Sequence, residues 1–103
     1  MTLMRKLLTA ALLSLLLPLS SLAQHRVSGW VTEIDEQGRP LPVAGATVMV
    51  KGSSTGVVTA SDGKFEIPAR REDVLVFSCL GYEDVEEPVG GKTEMRVRMK
   101  AVA

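Results

Sequence analysis

After residue 24, apolar residues recur at every second position along most of the chain. Alternation of this kind is typical of β-strands that turn one face to a core and the other to water. The pattern predicts seven short strands, at residues 27–32, 46–51, 56–60, 63–67, 74–79, 82–87 and 94–100. Seven strands at this spacing, with no segment that keeps a helical apolar stripe, predict an all-β fold built as a two-sheet sandwich.

Three of these strands have distinctive compositions. Residues 74–79 are apolar on both faces, which predicts a central strand. The last strand is expected to be a half-exposed edge, because its outer face carries Arg96, Arg98 and Lys100 and positive charge discourages pairing with other chains. Residues 82–87 are acidic, and Gly90-Gly91 suggests that they fold onto the last strand as a hairpin with opposite charges facing each other.

Glycine-marked turns separate the strands, and the clearest of them is Asp62-Gly63. It lies between VVTA and KFEI, and both of its residues tolerate the positive φ of the primed turns that close two-residue hairpins. The sequence therefore predicts a β-hairpin here, with Phe65 and Ile67 anchoring one arm in the core. This interpretation makes residues 53–67 a structural turn and not a ligand-binding loop.

The first 23 residues have the composition of a secretory signal peptide. Arg5 and Lys6 precede an apolar run at residues 7–17, and small residues lead up to Ala23. The run is shorter than the ~20 residues that a membrane-spanning helix needs, although an uncleaved anchor is the alternative. We expect an exported protein whose single domain occupies residues 24–103.

Composition excludes several classes of function. Removing Arg5 and Lys6 from the twelve basic residues leaves ten against twelve acidic ones, a balance of −2. This balance gives no support for binding to nucleic acid or to an anionic membrane, since both rely on a basic surplus. Cys79 is the only cysteine, so no intramolecular disulfide can form. Its apolar surroundings favour a buried thiol over pairing between chains.

The sequence contains no pattern of residues typical of catalysis or metal binding. His25 is the only histidine, and no HExxH or CxxC motif is present. A serine nucleophile would therefore lack a second histidine to act as its base. The SDGKFE stretch offers one carboxylate, at Asp62, where a calcium loop needs several. We expect no enzymatic activity, no cofactor and no metal ion.

Trp30 is the one candidate contact residue. It falls on the same side of its strand as Ser28 and Thr32, opposite Val27 and Val31. If that side faces water, the indole is available to a protein partner or a sugar. If the strand is covered on both sides, Trp30 belongs to the core. The pattern leaves both interpretations open.

Five stretches in order, VSGWV, GRPLPVAGATVMVKGSSTG, VVTASDGKFEI, LVFSCLGYED and MRVRMK, resemble the carboxypeptidase regulatory-like domain. The version most similar is the one at the N-terminus of SusC-like, TonB-dependent outer-membrane transporters. The resemblance covers residues 27–100 and implies a seven-stranded transthyretin-like (prealbumin-like) β-sandwich without enzymatic activity. The family pattern falls on turn and core positions, namely Gly38, Pro40, Leu41, Gly45, Val48, Gly52, Thr55, Gly56, Asp62, Gly63, Phe65, Phe77, Ser78, Gly81 and Tyr82.

The chain departs from the family pattern in three places. The connection at residues 32–46 is longer than usual, so its structure is left open. Ala60 stands where an aspartate is common, which removes a carboxylate. The chain ends shortly after the last predicted strand, without the TonB box, plug and barrel of a transporter. We therefore expect either the N-terminal extension of such a transporter or a truncated piece of one.

The resemblance implies a non-catalytic accessory or interaction domain in the periplasm, associated with the outer membrane. Its partner would be an outer-membrane or periplasmic protein, or the parent transporter chain. The alternative is a stand-alone secreted module that binds a glycan or a peptide, with Trp30 and the loop at residues 51–55 as its surface. An accessory domain of an exopeptidase is a third possibility, which requires a zinc-bearing catalytic domain that these residues do not contain.

Overall fold

The computed structural model describes residues 25–102. The expected signal peptide and its cleavage site lie outside the described residues. Within residues 25–102 the chain forms β-strands and no helix, and therefore no helix that could cross a membrane. The strands are β1 (Arg26–Ile34), β2 (Pro40–Pro42), β3 (Thr47–Val50), β4 (Gly56–Val58), β5 (Lys64–Pro68), β6 (Val74–Ser78), β7 (Val85–Pro88) and β8 (Glu94–Arg98). All seven predicted strands are present, and β2 is an additional short strand in the long connection that the sequence left open.

The strands form two four-stranded sheets, which confirms the predicted β-sandwich. In sheet A, β1 pairs antiparallel with β5 and β2 along one edge and parallel with β8 along the other. Sheet B has the order β4-β3-β6-β7 and is antiparallel throughout. As predicted, β6 is a central strand and β8 is an edge strand.

The predicted hairpin between β7 and β8 is wrong. β7 pairs with β6 in sheet B, whereas β8 pairs with β1 in sheet A. The connection crosses between the sheets because Val89 is fully buried and its N–H donates to the carbonyl of Asp73. The acidic strand β7 therefore does not face the basic strand β8; its residue Glu86 instead forms an ion pair of 3.0 Å with Lys51.

The Asp62-Gly63 turn is present, but the hairpin predicted around it is not. The N–H of Gly63 donates to the carbonyl of Ala60, and the N–H of Ala60 donates to the carbonyl of Lys64. Gly63 has a φ of 81°, while no other residue type has a positive φ in the described range, so the turn has three residues and is not of the primed type. Beyond this turn the arms separate, since β4 pairs with β3 and β5 pairs with β1.

The hydrophobic core lies between the two sheets and is built from alternate strand residues. Its largest fully buried side chains are Phe77, Ile67, Leu75, Met99, Val27, Val31, Val48 and Val89. Phe65 of sheet A meets Phe77 of sheet B edge to face, with ring centroids 5.3 Å apart. Cys79 is only half-buried, although it packs against this core, so the prediction of a buried thiol holds in part.

Candidate functional site

Trp30 lies on the outer face of sheet A, away from the core. The side chains of Val27 and Val31 in the same strand are fully buried, whereas that of Trp30 is half-buried and is not a member of the core cluster. We define the Trp30 face as the outward side of sheet A formed by Ser28, Trp30, Thr32, Lys64, Glu66, Glu94, Arg96 and Arg98. The alternative in which Trp30 is a core residue therefore does not describe this fold.

Two cationic side chains flank the indole ring. The Nζ atom of Lys64 lies 5.9 Å from the ring centroid and the guanidinium carbon of Arg96 lies 5.1 Å from it. Both residues are the direct neighbours of Trp30, on β5 and on β8 respectively. Cation–π contacts at exposed sites contribute about 0.5–1 kcal/mol each. These contacts explain the half-burial of Trp30 and leave less of its ring free for stacking on a sugar.

The charges of the Trp30 face are divided along β1. At the level of Ser28 the neighbours are Glu66 and Glu94, and Glu66 forms an ion pair of 3.2 Å with Arg26. Further along β1 the neighbouring strands contribute the cations Lys64, Arg96 and Arg98. Within residues 25–102, the ion pairs of the structure involve none of these three cations. This half of the face is therefore a basic surface around an aromatic residue.

The loop at residues 51–55 lies on the other sheet. It connects β3 to β4 in sheet B and borders a shallow depression of about 230 Å³, which is lined by Met49, Val50, Lys51, Gly52, Ser53, Val76 and Ser78. Pockets that bind small molecules usually enclose ~300–1,000 Å³. The structure thus does not bring this loop and Trp30 together into the single surface that the alternative function would use.

Three other titratable side chains, those of His25, Asp62 and Asp35, have structural partners. The Nε2 atom of His25 lies 3.3 Å from the carbonyl oxygen of Lys92. Asp62 accepts a hydrogen bond from the N–H of Lys64 and so holds its own turn. The carboxylate of Asp35 likewise accepts from the N–H groups of Gln37 and Arg39. In the part of the chain that the structure describes, no three His, Cys, Asp or Glu residues are grouped as metal ligands.

A contact between Tyr82 and Glu33 was not found from the sequence. Tyr82 lies in the loop between β6 and β7, packs against the core and bridges to Ala101. The nearby carboxylate of Glu33, as a hydrogen-bond acceptor and a negative charge, is the main reason that the pKa of Tyr82 is raised above the ordinary value of 10.0. Only the family pattern, which includes Tyr82, indicated that the position matters. The contact joins the end of β1 to the loop that leaves sheet B.

This contact predicts a loss of stability at alkaline pH. Because the pKa of Tyr82 is raised on folding, its contribution is fully present below the unfolded-state value of 10.0 and is lost as the pH rises through the folded-state value. We expect the unfolding free energy of wild type to fall more steeply across this range than that of Tyr82→Phe. Urea unfolding from neutral to alkaline pH measures the difference.

The control is Glu33→Gln, which removes the negative charge and keeps the phenol. Tyr82 is the only tyrosine, so its phenolate absorbance reports the titration directly. We expect this titration to move back toward 10.0 in Glu33→Gln. Identical pH profiles for wild type and Tyr82→Phe would contradict the assignment.

Comparison with known proteins finds one matching domain family and similarity to short parts of large receptors. Residues 27–102 match the CarboxypepD_reg-like domain family. The chain is similar to TonB-dependent receptor P26 of Formosa agariphila, with 43% identity over 82 residues that cover 80% of this chain and 8% of the receptor. It is also similar to TonB-dependent receptor SusC of Bacteroides thetaiotaomicron, with 44% identity over 59 residues that cover 57% of this chain and 6% of the receptor. The chain thus spans less than a tenth of the length of either receptor.

Among solved structures, the chain is similar to one in a type II Cohesin-X-Dockerin complex from Acetivibrio cellulolyticus. The TM-score is 0.58 at 26% sequence identity, and the match covers 74% of this chain and 57% of the other. That structure is an N-terminal interface mutant of the complex. A structure of a C-terminal interface mutant of the same type of complex matches with a TM-score of 0.57. These similarities agree with the all-β sandwich described above.

Proposed function

The chain belongs to the CarboxypepD_reg-like domain family, and from this membership we propose that it is a non-catalytic accessory domain that makes protein contacts in the periplasm at the outer membrane. In this proposal it is the N-terminal extension, or a piece of the N-terminal part, of a SusC-like TonB-dependent transporter. The observation that carries the proposal is the similarity to two TonB-dependent receptors at 43% and 44% identity. TonB-dependent receptors of this kind are outer-membrane proteins, which supports export and an outer-membrane association.

The geometry supports an interaction role over a catalytic one. The carboxylates of Asp35 and Asp62 accept hydrogen bonds within their own turns, and no buried side-chain nitrogen or oxygen of the described residues lacks a hydrogen bond. A binding surface, by contrast, is offered by the Trp30 face, where a tryptophan and arginines lie together. Tryptophan and arginine are enriched among the residues that dominate protein interfaces. We propose Trp30 as part of the partner contact.

A stand-alone secreted module for a glycan or a peptide is the second candidate. The outward position of Trp30 favours it, because aromatic side chains are common in sugar and peptide sites. The separation of Trp30 from the loop at residues 51–55 weakens it, as does the engagement of the ring by Lys64 and Arg96. Saturable binding of a neutral glycan that is abolished in Trp30→Thr would favour this candidate over the transporter domain.

Cell fractionation tests the proposed function. An antibody raised against residues 24–103 is used to blot cytoplasmic, periplasmic and outer-membrane fractions, each verified with a marker protein. We expect a signal in the outer-membrane fraction, carried by a polypeptide much larger than this chain. A small soluble periplasmic band would favour the stand-alone module, and a cytoplasmic band would overturn both candidates.

A further inference from the structure

One edge of β8 carries backbone groups without partners. β8 runs parallel to β1, and the bonds from Ser28 N–H to the Thr93 carbonyl and from Met99 N–H to the Thr32 carbonyl fix the register. In this register the backbone groups of Met95 and Val97 point toward β1. The N–H and C=O groups of the even-numbered residues, Glu94, Arg96 and Arg98, therefore point away from it. Among the backbone hydrogen bonds of the described residues, none involves these groups.

The open part of this edge has a defined end. The N–H of Glu83 donates to the carbonyl of Lys100, and Tyr82 forms a bridge with Ala101. The loop after β6 thus covers the edge beyond Arg98. The open stretch comprises the five residues of β8, which at ~3.3 Å per residue is about 16 Å long. This length suits an added strand of about five residues.

Charge determines which strand fits this edge. The side chains of Arg96 and Arg98 stand on the Trp30 face beside the open backbone groups, and Lys64 adds a third positive charge on the same face. A second copy of β8 in the parallel direction would place arginine beside arginine, and like charges on paired strands are destabilising. An antiparallel copy centred on Arg96 would still oppose the two Arg96 side chains, although Glu94 of each copy would face Arg98 of the other. A strand with carboxylates opposite Arg96 and Arg98 meets both cations with opposite charge, so the edge favours an acidic strand over a second β8.

We propose that β8 accepts an extended acidic peptide segment of a protein partner as an additional strand of sheet A. Backbone hydrogen bonds to Glu94, Arg96 and Arg98 hold the segment, and its alternate carboxylates bind Arg96 and Arg98. Trp30 acts as a positioning residue, because its ring packs against the guanidinium of Arg96. An acidic polysaccharide would match the charges, but it has no peptide backbone whose N–H and C=O groups could pair with those of the open edge. The inference rests on the proposed interaction role and identifies the chemistry of the partner.

The first test measures peptide affinity with matched charge reversals. The full chain is expressed, and the form of the protein that the cell produces from it is purified. The probe is an acetylated peptide of alternating glutamate and threonine. Trp30 is the only tryptophan, so its fluorescence reports binding next to β8. We expect saturable binding that Arg98→Glu weakens by about tenfold or more, since close interfacial charge pairs couple strongly. Lys64→Glu makes the same charge change on the far side of Trp30, and we expect it to weaken binding by less than about threefold.

The second test separates strand addition from charge attraction. Arg98→Gln and Arg98→Pro both remove the charge, but only the proline also removes the outward N–H, which β1 does not use. We expect Arg98→Pro to bind more weakly than Arg98→Gln, and the amides of residues 94, 96 and 98 to gain protection from hydrogen exchange when the peptide binds. Trp30→Thr lacks the fluorophore, so its affinity and stoichiometry are measured by titration calorimetry beside wild type; we expect weaker binding through loss of support for Arg96, at unchanged peptide stoichiometry.

Several results would overturn this inference. One such result is an equal loss of peptide affinity in Arg98→Glu and Lys64→Glu. Another is equal affinity for a control peptide in which the same glutamates and threonines form two separate blocks. Either result would show that general charge attraction accounts for the binding. Binding of polymannuronate but not of the peptide would identify a polysaccharide surface. No binding of either probe would exclude the β8 site, while an outer-membrane signal in the fractionation experiment would leave the proposed function intact.

Discussion

Gly63→Ala is expected to destabilise the protein by about 2–3 kcal/mol. Gly63 has a φ of 81°, a left-handed conformation that costs a residue with a Cβ atom roughly 1–2 kcal/mol. A Cβ atom here would also collide with the carbonyl oxygen of Val31 in β1. Relieving that collision moves the turn away from β1 and breaks the hydrogen bond from Val31 N–H to the Gly63 carbonyl, which contributes about 1 kcal/mol.

Gly38→Ala is the matched control for this prediction. Gly38 has the same φ of 81°, but a Cβ atom there would meet no atom within 4 Å. The control should therefore lose only the conformational term of roughly 1–2 kcal/mol. Urea unfolding monitored by the fluorescence of Trp30 measures both variants against wild type. Equal losses in the two variants would show that the close approach of Gly63 to β1 contributes nothing.

Thr59→Val is expected to cost about 2–6 kcal/mol, although valine has nearly the same shape as threonine. Thr59 is the buried polar residue of the described core, with 5% of its surface exposed. Its hydroxyl donates to the carbonyl of Val43 at 2.7 Å and accepts from the N–H of Ala46 at 2.9 Å. Valine removes both partners at once, and each buried backbone group left unsatisfied costs about 1–3 kcal/mol.

Thr59→Ser separates the hydroxyl from the methyl group. Serine keeps both hydrogen bonds and loses one buried methyl, for which we expect a loss of only about 1 kcal/mol. Thermal unfolding of the two variants at one protein concentration provides the comparison. The assignment fails if the serine variant is the less stable of the two, because packing would then outweigh the hydrogen bonds of the residue 43–46 segment.

The candidate surface was only partly visible in the sequence. The alternation around Trp30 identified the side of the strand on which it lies, and the row Arg96, Arg98, Lys100 identified a charged edge. The sequence did not indicate that Lys64 and Arg96 flank the ring, since these residues lie 34 and 66 positions from Trp30. The open backbone edge of β8 was likewise invisible, because it depends on which strand occupies the other edge. Periodicity reports the face of a strand but not its neighbours.

The two wrong hairpins have a common cause. Local turn signals at Asp62-Gly63 and Gly90-Gly91 predicted that consecutive strands pair, which is the usual arrangement in antiparallel sheets. In this fold both connections pass from one sheet to the other. The predicted position of the turn at Gly63 is confirmed, but the predicted pairing of the strands beside it is wrong, because β5 pairs with β1 and not with β4. A turn sets the direction of the chain, whereas the sheet that the next strand joins depends on long-range pairing.

The sequence by itself determined the all-β class, the seven principal strands, the turn positions and the alternate residues that form the core. These features depend on side-chain periodicity and on local backbone preferences, which a short window of sequence contains. Only the tertiary structure decided the sheet order, the parallel pairing of β8 with β1, the contact of Tyr82 with Glu33 and the cations around Trp30. These features join residues distant in the chain, and they arise because burying two apolar sheet faces against each other selects one arrangement of strands from many that local preferences allow.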